Sequence, residues 1–589
     1  MALGRRIFLN ADVLPLLVGC AIGLGGGLGA ILFRELVTAT GDGFRFLREA
    51  PAWQSWIAIP ATLALGGLLV GTITRFCARE VRGHGVPEVM SAVALHRGVI
   101  RIRVVLAKAI ASAISIGSGG SVGREGPIIQ IGSALGSSLG QMLHAPVVHM
   151  RTMVSCGAAA GISATFNAPF AGVLFALEVI ARDFRFRSLT PIVCSSVIAT
   201  AVSRGYFGDI PAFPVPDLIL GHPVELGFYA VLGGLAGLAG VFFSRFLYFT
   251  EDAADRIRLP DPLKAALGGM LVGILALQFR EVMGVGYETI ENTLAGTGGL
   301  TIAAFALLFA AKILATSVTL ASGGSGGVFA PSLFIGAMLG GAVGSIFQTA
   351  FPSLVTQPEA YALVGMGALV AATTHAPLSA ILILFELTDD YKIILPLMLA
   401  SIISTVVSRR LCAESIYTLK LSRRGESVSV DPATNLLASA QVKDVLHSSS
   451  LETLQENSSF GRIVDALKKS ASSDLAVVDR DGSLIGVVRF RSLKIVLDSQ
   501  EVHPLLVARD VCEESPDCLL PEETLDEAFR AFQDTTEQYI PVVSSIGEAR
   551  FLGFLSHADI LRYYKKLVEA ENSGRNGGPG RTRPERAPR

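Results

Sequence analysis

Charge is what this chain has least of. Only 17% of its 589 residues are Asp, Glu, Lys or Arg, against about 25% in a soluble protein, so much of its length is not built to face water. Cysteines are few and scattered, at 20, 77, 156, 194, 412, 512 and 518. Without a CxxC pair they suggest neither a disulfide framework nor a zinc site, and no metal is expected. No basic domain or aromatic-basic face appears, so nucleic acid is not an expected partner. The motifs HExxH and GxxxxGK[ST] are missing. GxSxG is spelled at Gly119-Gly-Ser-Val-Gly123 and Gly323-Gly-Ser-Gly-Gly327, but neither copy follows a strand. No histidine–acid pair is evident to activate Ser121 or Ser325, so an enzyme is not expected. Arg5 and Arg6 open a mixed stretch that lacks the layout of a signal peptide.

Hydrophobic residues make up 51% of the chain, and the mean hydropathy is +0.53. From residue 13 to about 411, apolar segments alternate with short polar breaks, about seven in each half. Segments 13–33, 56–76 and 228–247 have spanning length, whereas 127–139 and 169–180 are too short to cross. Short Gly/Pro-interrupted segments at matching positions of two halves are the sign of a transporter with broken helices and a site near the bilayer midplane. Basic residues at 5, 6, 75, 79, 82, 101, 103, 182, 185 and 187 predict cytoplasmic faces, with both termini cytoplasmic in a multi-pass cell-membrane protein.

The halves are visible in the residues. Ser118-Gly-Gly-Ser-Val-Gly-Arg-Glu-Gly-Pro127 recurs as Ser322-Gly-Gly-Ser-Gly-Gly-Val-Phe-Ala-Pro331, at 322 − 118 = 204. Lys108 and Lys312 share that offset. Asn167-Ala-Pro with Glu178 matches His375-Ala-Pro with Glu386 at 375 − 167 = 208, and Gly83-His84-Gly85 faces Gly284-Val285-Gly286. Four landmarks in one order predict repeat halves at about 13–207 and 225–411. Glycine-dense backbone closed by a proline suits a loop that opens a helix, where orphan N–H groups and the helix dipole favour an anion. An ionisable Glu125 at membrane depth is a functional candidate by default. Glu178 and Glu386 occupy equivalent positions, which favours a shared structural role such as accepting helix-end N–H bonds. Lys108 and Lys312 are expected to snorkel or to cap carbonyls.

After residue 424 the composition changes. Residues 425–440 read as a linker, 441–500 and 507–568 as two copies of a soluble α/β unit, and 569–589 as a disordered tail. Ser459 and Thr524 each head a short amphipathic helix and are placed to cap it. Strands follow at 475–478 and 540–543, then at 485–488 and 552–555.

With these motifs in place, residues 13–421 resemble the CLC family of chloride channels and chloride/proton antiporters. The matching elements are Gly83-His-Gly-Val-Pro87, Gly123-Arg-Glu-Gly-Pro127, Gly327-Val-Phe-Ala-Pro331 and Tyr417. The C-terminal repeat resembles a pair of CBS domains. The fold class implied is an all-α polytopic membrane domain (1–424) of inverted repeats with broken, re-entrant helices, followed by a cytoplasmic α/β CBS pair. A homodimer of independent pores is implied as well.

The resemblance places a central anion near Gly83, His84 and Gly85, with the amides of Val328 and Phe329 and the Tyr417 hydroxyl as donors. Arg124 and Gly126 flank Glu125, which matches the family's gating glutamate. Chloride is the expected anion; nitrate, bromide and fluoride are alternatives, because His84 stands where much of the family has serine. A neutral imidazole there can donate one N–H, a protonated one would add pH sensitivity, or the side chain faces the vestibule instead. Val179 stands at the family's internal proton-transfer glutamate, which leans towards a passive voltage- or pH-gated channel. A chloride/proton antiporter using another proton route is the alternative. A CBS-regulated cation transporter is disfavoured, since intramembrane acids are few. No cofactor is required. Ser556 and Asp559 resemble an element with which some CBS domains bind an adenine nucleotide, and helix capping explains them equally. Arg489 and Ser492 depart from that element in the first copy.

Overall fold

The computed structural model describes residues 13–48, 55–77, 81–184, 186–209, 213, 222–388, 391–426, 437, 440–446, 453–470, 474–493, 502–514, 517–535, 537–545 and 549–573. Most of the expected linker, the tail beyond 573, the N-terminal arginine pair, Arg79 and Arg185 lie outside these. The chain divides into two compact units, residues 1–428 and 429–589.

The first unit is helical among the described residues. Its first half comprises α1 (Val13–Arg48), α2 (Ser55–Phe76), α3 (Val86–Ala94), α4 (Ile102–Gly117), α5 (Glu125–Met142), α6 (Val147–Phe166), α7 (Pro169–Phe175) and α8 (Phe186–Phe207). A π-helical turn, Ala176–Ala181, follows α7. The second half repeats this order with α9 (Glu225–Arg256), α10 (Asp261–Gln278), α11 (Tyr287–Leu294), α12 (Ile302–Ala321), α13 (Phe329–Ala350), α14 (Pro358–Thr374), α15 (Pro377–Thr388) and α16 (Ile394–Leu411). A short α17 (Thr418–Arg423) closes the unit. Among the described residues each half thus has one helix more than hydropathy suggests. The short α3 and α11 carry Glu88, Glu288 and Glu291, so an apolar-run reading passes over them. Among the described residues, six helices are long and apolar enough to cross a membrane.

Equivalent residues meet across the halves. Gly123 and Gly327, one repeat apart, form an antiparallel bridge, each amide donating to the other's carbonyl at 2.8 and 2.6 Å. Antiparallel pairing of a residue with its own counterpart puts an internal two-fold through that point. Reciprocal pairs flank it: Ser112 Oγ lies 2.9 Å from Ser325 Oγ, and Ser121 Oγ lies 3.2 Å from Thr316 Oγ1. Helices α2 and α10 obey the same symmetry, because a Cβ on Gly67 would strike the Ala265 carbonyl and one on Gly269 the Leu63 carbonyl. The halves are therefore inverted relative to each other, as the broken-helix pattern predicts.

In the second unit, β1 (Thr453–Gln455) pairs parallel with β2 (Asp474–Val478), which pairs antiparallel with β3 (Leu484–Arg489), and β3 with β4 (Glu513–Glu514). The second copy repeats the hairpin as β5 (Tyr539–Val543) and β6 (Phe551–Ser556). Helix α18 (Phe460–Lys469) packs in the first copy, with α19 (Phe490–Leu493) and α20 (Ala508–Val511) beyond it. Helices α21 (Leu525–Asp534) and α22 (His557–Ser573) belong to the second. Leu475, Val477 and Val488 fill one core, and Ile540, Val542 and Leu555 the other. The two expected caps differ. Thr524 accepts from the Glu527 amide at 3.2 Å and Glu527 accepts from the Thr524 amide at 2.8 Å, a reciprocal capping box. Ser459 makes no side-chain cap; the third helical position is Arg462, which cannot return the bond, and the Ser459 backbone instead bridges Val507.

Candidate functional site

The site begins with backbone. Gly83 and Gly85 have φ of 86° and 76°, values that L side chains rarely adopt. They turn the chain into α3, with Pro87 in its first turn. The segment Gly83–Gly85 reaches the glycine loop before α13: the Gly83 amide donates to the Gly324 carbonyl at 3.1 Å, beside a parallel bridge to Ser325. Lys108 Nζ donates to the carbonyls of Val81 and Gly83 at 2.8 and 2.5 Å, and Lys312 Nζ to those of Val282 and Gly284, both at 3.0 Å. Carbonyl capping is therefore what the paired lysines do.

Arg124 is the N-cap position of α5 and Val328 that of α13. Glu125, only 1% exposed, folds back between these two helix starts. Its Oε1 accepts from the Tyr287 hydroxyl at 2.8 Å, and its Oε2 from the Ala330 amide at 3.4 Å in the first turn of α13. A Cβ on Gly123 would collide with that Oε2, and one on Gly327 would lie 3.4 Å from it. The glycines are thus the space into which the carboxylate fits. Gly126 packs on the His84 carbonyl. The Arg124 guanidinium lies 5.1 Å from the Tyr287 ring centroid. Val328 and Phe329 are buried, and the Phe329 ring contacts Phe166.

His84 is buried, with its ring centroid 5.9 Å from that of Tyr417. Its Nε2 lies 3.2 Å from the Tyr248 hydroxyl, which in turn donates to the Ile416 carbonyl at 2.5 Å. Tyr417 is also buried, next to that carbonyl in sequence. Lys420 is buried too, with Nζ against Gly83. His84, Tyr417, Lys420, Gly83 and Gly85 are thus gathered around one region. Val179 lies in the π-helical turn after α7 and is 4% exposed; it offers no atom that can carry a proton.

Glu178 and Glu386 perform the shared role that their equivalence suggests. Glu178 accepts from the amides of Leu378 and Ser379 at 3.3 and 2.7 Å, at the start of α15. Glu386 accepts from the amides of Phe170 and Ala171 at 3.0 and 2.6 Å, at the start of α7.

Sequence reasoning passed over three residues here. Tyr287 had a usable signal, since it follows the repeated Gly284-Val285-Gly286 directly. Tyr248 and Lys420 had none: one lies within a long apolar helix and the other among ordinary basic residues near a segment end.

In the second unit, Ser556 Oγ donates to Asp559 Oδ2 at 2.6 Å and accepts from the Asp559 amide at 3.1 Å. That is a cap at the start of α22, closed within itself. Arg489 has ion pairs to Glu537 at 3.0 Å and Asp474 at 3.8 Å, and a third to Glu513.

The chain matches the family described as voltage gated chloride channel over residues 66–409, and the CBS domain family over 442–498 and 508–566. A putative chloride channel protein, ClcB-like, from Ralstonia nicotianae is 37% identical over 432 residues, covering 71% of this chain and 98% of that protein. The H(+)/Cl(-) exchange transporter ClcA of Vibrio cholerae is 32% identical, covering 71% and 91%. Among solved structures, a slow cyanobacterial Cl-/H+ antiporter superposes with a TM-score of 0.65 at 28% identity, covering 70% of this chain and 97% of the other. A eukaryotic CLC transporter has the same fold, with a TM-score of 0.61 at 21% identity over 92% of this chain and 97% of the other.

Proposed function

The chain belongs to the voltage gated chloride channel (CLC) family, a family of integral membrane proteins with CLC-type chloride transport, and on that premise we propose that Glu125 gates the anion pathway. The observation that carries this is the position of its carboxylate. A buried anion on a tether accepts from the Ala330 amide at a helix start and from Tyr287, where a free anion would find the same donors. Protonation removes the charge that holds it there, and the site passes to chloride. The central anion then rests on the amides of Val328 and Phe329 and the Tyr417 hydroxyl, near Gly83, His84 and Gly85, with Arg124 and Gly126 shaping the gate. Amides and a phenol replace the hydration that the ion loses.

Two modes of transport fit this pathway. Val179 favours passive conduction, because it cannot relay a proton. Exchange is favoured by relatives named as H(+)/Cl(-) exchange transporters and by likeness to the cyanobacterial antiporter. The test is chloride efflux from proteoliposomes, with external pH recorded and the voltage set by valinomycin. Chloride efflux with protons driven against their gradient assigns exchange; efflux without proton movement assigns a passive pathway. In either case Glu125→Gln removes the part of the pH dependence of flux that comes from opening the gate, and a pH dependence identical to that of the unaltered chain overturns the gate.

The membrane domain acts as a homodimer with both termini cytoplasmic, and the CBS pair regulates it. A single adenine nucleotide at Ser556 and Asp559 would have to open their mutual cap. Calorimetry with ATP on the full chain and on Asp559→Ala tests it; heat that is unaltered by the substitution removes the site.

A further inference from the structure

His84 holds a polar atom with nowhere to go. Its ring is 2% exposed, and Nδ1 is buried without a hydrogen-bond partner among the described residues. The other nitrogen is committed. The Tyr248 hydroxyl has one proton, and the Ile416 carbonyl at 2.5 Å can only accept it. The Tyr248 oxygen, 3.2 Å from Nε2, is left as an acceptor, so Nε2 carries a hydrogen in either charge state of the ring. The neutral ring therefore presents a bare lone pair at Nδ1, which repels an anion, and only the imidazolium presents a second N–H there. A serine at this position would have no such restriction, because its hydroxyl rotates to donate.

We propose that His84 takes up a proton at Nδ1 together with the central anion, so that proton and anion occupy this site as a pair. The inference rests on the anion pathway proposed above and gives it a second protonation site besides Glu125. The proton comes from water on the pathway and returns to it, and no covalent bond changes. Around the ring stand Tyr248 of α9, Tyr417, Lys108 of α4, Lys420 of α17 and Arg424. Glu88 and Glu251 act on Lys420, and Glu125 acts on Tyr417. When the ring is charged, an anion beside it is drawn by His84, Lys108, Lys420 and Arg424 together, while these cations oppose one another when the anion is gone. The coupling is reciprocal: whatever factor the proton adds to anion affinity, the anion adds to proton affinity. A chain with Val179 at the internal position thereby keeps a proton-binding side chain beside the anion.

Glu125 also titrates, so the test is made on full-length Glu125→Gln protein in detergent. Chloride added to a weakly buffered sample is expected to draw protons from solution, up to one per chain. Chloride affinity measured by calorimetry is expected to fall about tenfold per pH unit across the linked range. Adding His84→Gln keeps a donor for Tyr248 but cannot take a proton, and should abolish both the uptake and the pH dependence. Tyr248→Phe in the Glu125→Gln background frees the neutral ring to place its hydrogen on Nδ1, and should raise chloride affinity at high pH. It serves as the second readout if the glutamine variant does not fold. Proton uptake that persists with His84→Gln overturns the proposal, as does Glu125→Gln protein that binds chloride with no proton uptake. Glu125→Gln protein that binds no chloride at any pH removes the anion pathway itself.

Discussion

The Tyr287 hydroxyl donates to Glu125 Oε1 at 2.8 Å, tying the first residue of α11 in one half to the first residue of α5 in the other. The bond favours the ionised carboxylate, which is the closed form in the gating proposal. A hydrogen bond to a charged group is worth about 1.5–3 kcal/mol, and about 1.4 kcal/mol corresponds to one pH unit. Tyr287→Phe should therefore ease protonation of Glu125 and raise the pH of half-maximal flux by about one to two units. Flux titrated against pH in proteoliposomes checks it. A downward shift would mean that Tyr287 holds the open form.

Glu178 and Glu386 exchange helix caps across the internal two-fold, each accepting two backbone amides at the opening of the other half's helix. Alanine at either position leaves two helix-start amides, exposed or half-buried, without their capping carboxylate, at a cost of about 0.5–2 kcal/mol. Because the positions are equivalent, Glu178→Ala and Glu386→Ala should lower the thermal stability of detergent-solubilised protein by similar amounts. A marked loss of transport without loss of stability in either variant would assign it a role in ion movement instead.

The helix contacts inside each half carry the same symmetry. A Cβ on Gly132 would collide with the Gly157 carbonyl, and a Cβ on Gly336 with that of Gly365, so α5 on α6 and α13 on α14 are backbone against backbone. Overpacking costs about 1–3 kcal/mol where side chains can yield, and backbone yields less. Gly132→Ala and Gly336→Ala should both fall at or above the upper end of that range. Gly234 in α9 has open space where a methyl group would sit, with nothing within 4 Å of that point, and Gly234→Ala should stabilise by about 0.5–1 kcal/mol. Unfolding followed by circular dichroism separates the two classes.

Much of this was legible in the sequence because a repeat doubles every signal. Ser118–Pro127 and Ser322–Pro331 mark the same bend twice, and the paired Lys108/Lys312 and Glu178/Glu386 disclose capping roles that one copy would leave ambiguous. Contacts without periodicity were not legible. The Tyr248–His84–Ile416 chain joins residues of three distant segments by side-chain hydrogen bonds, and nothing in the apolar run around Tyr248 marks it. The failed cap at Ser459 was legible in part, since Arg462 stands where Thr524 has Glu527.

The thiols of the second unit give a pH-dependent prediction. Burial, followed by the nearby Glu514, pushes the Cys512 thiol up, and burial with Asp517 does the same to Cys518. The thiolate is the nucleophile, so at neutral pH both should alkylate more slowly than a free small-molecule thiol. Their rates should rise through a more alkaline range than an ordinary cysteine's. Mass spectrometry after timed iodoacetamide treatment between about pH 7 and 10 measures this, and fast labelling at neutral pH would contradict it.

Arg489 occupies the first-copy position corresponding to Ser556, and its surroundings explain why an arginine can stand there. The side chain is 8% exposed and is paired with Glu537 from the second copy as well as with Asp474 and Glu513. Glu537 is held in turn by Arg491 at 2.6 Å. The guanidinium faces acidic groups from both copies, so its charge is directed at carboxylates rather than at a nucleotide phosphate. Removing one partner of a buried ion pair costs about 3–5 kcal/mol, because the other charge stays buried; here Asp474, only 6% exposed, loses its nearby guanidinium. Arg489→Ala should therefore make the C-terminal unit of the full chain cleavable by protease at lower denaturant, while leaving cleavage of the membrane unit unchanged. Arg489→Ala combined with Asp474→Asn should recover part of the loss. If the double variant is no better than the single one, the stabilisation resides in the packing of the arginine stem rather than in its charge.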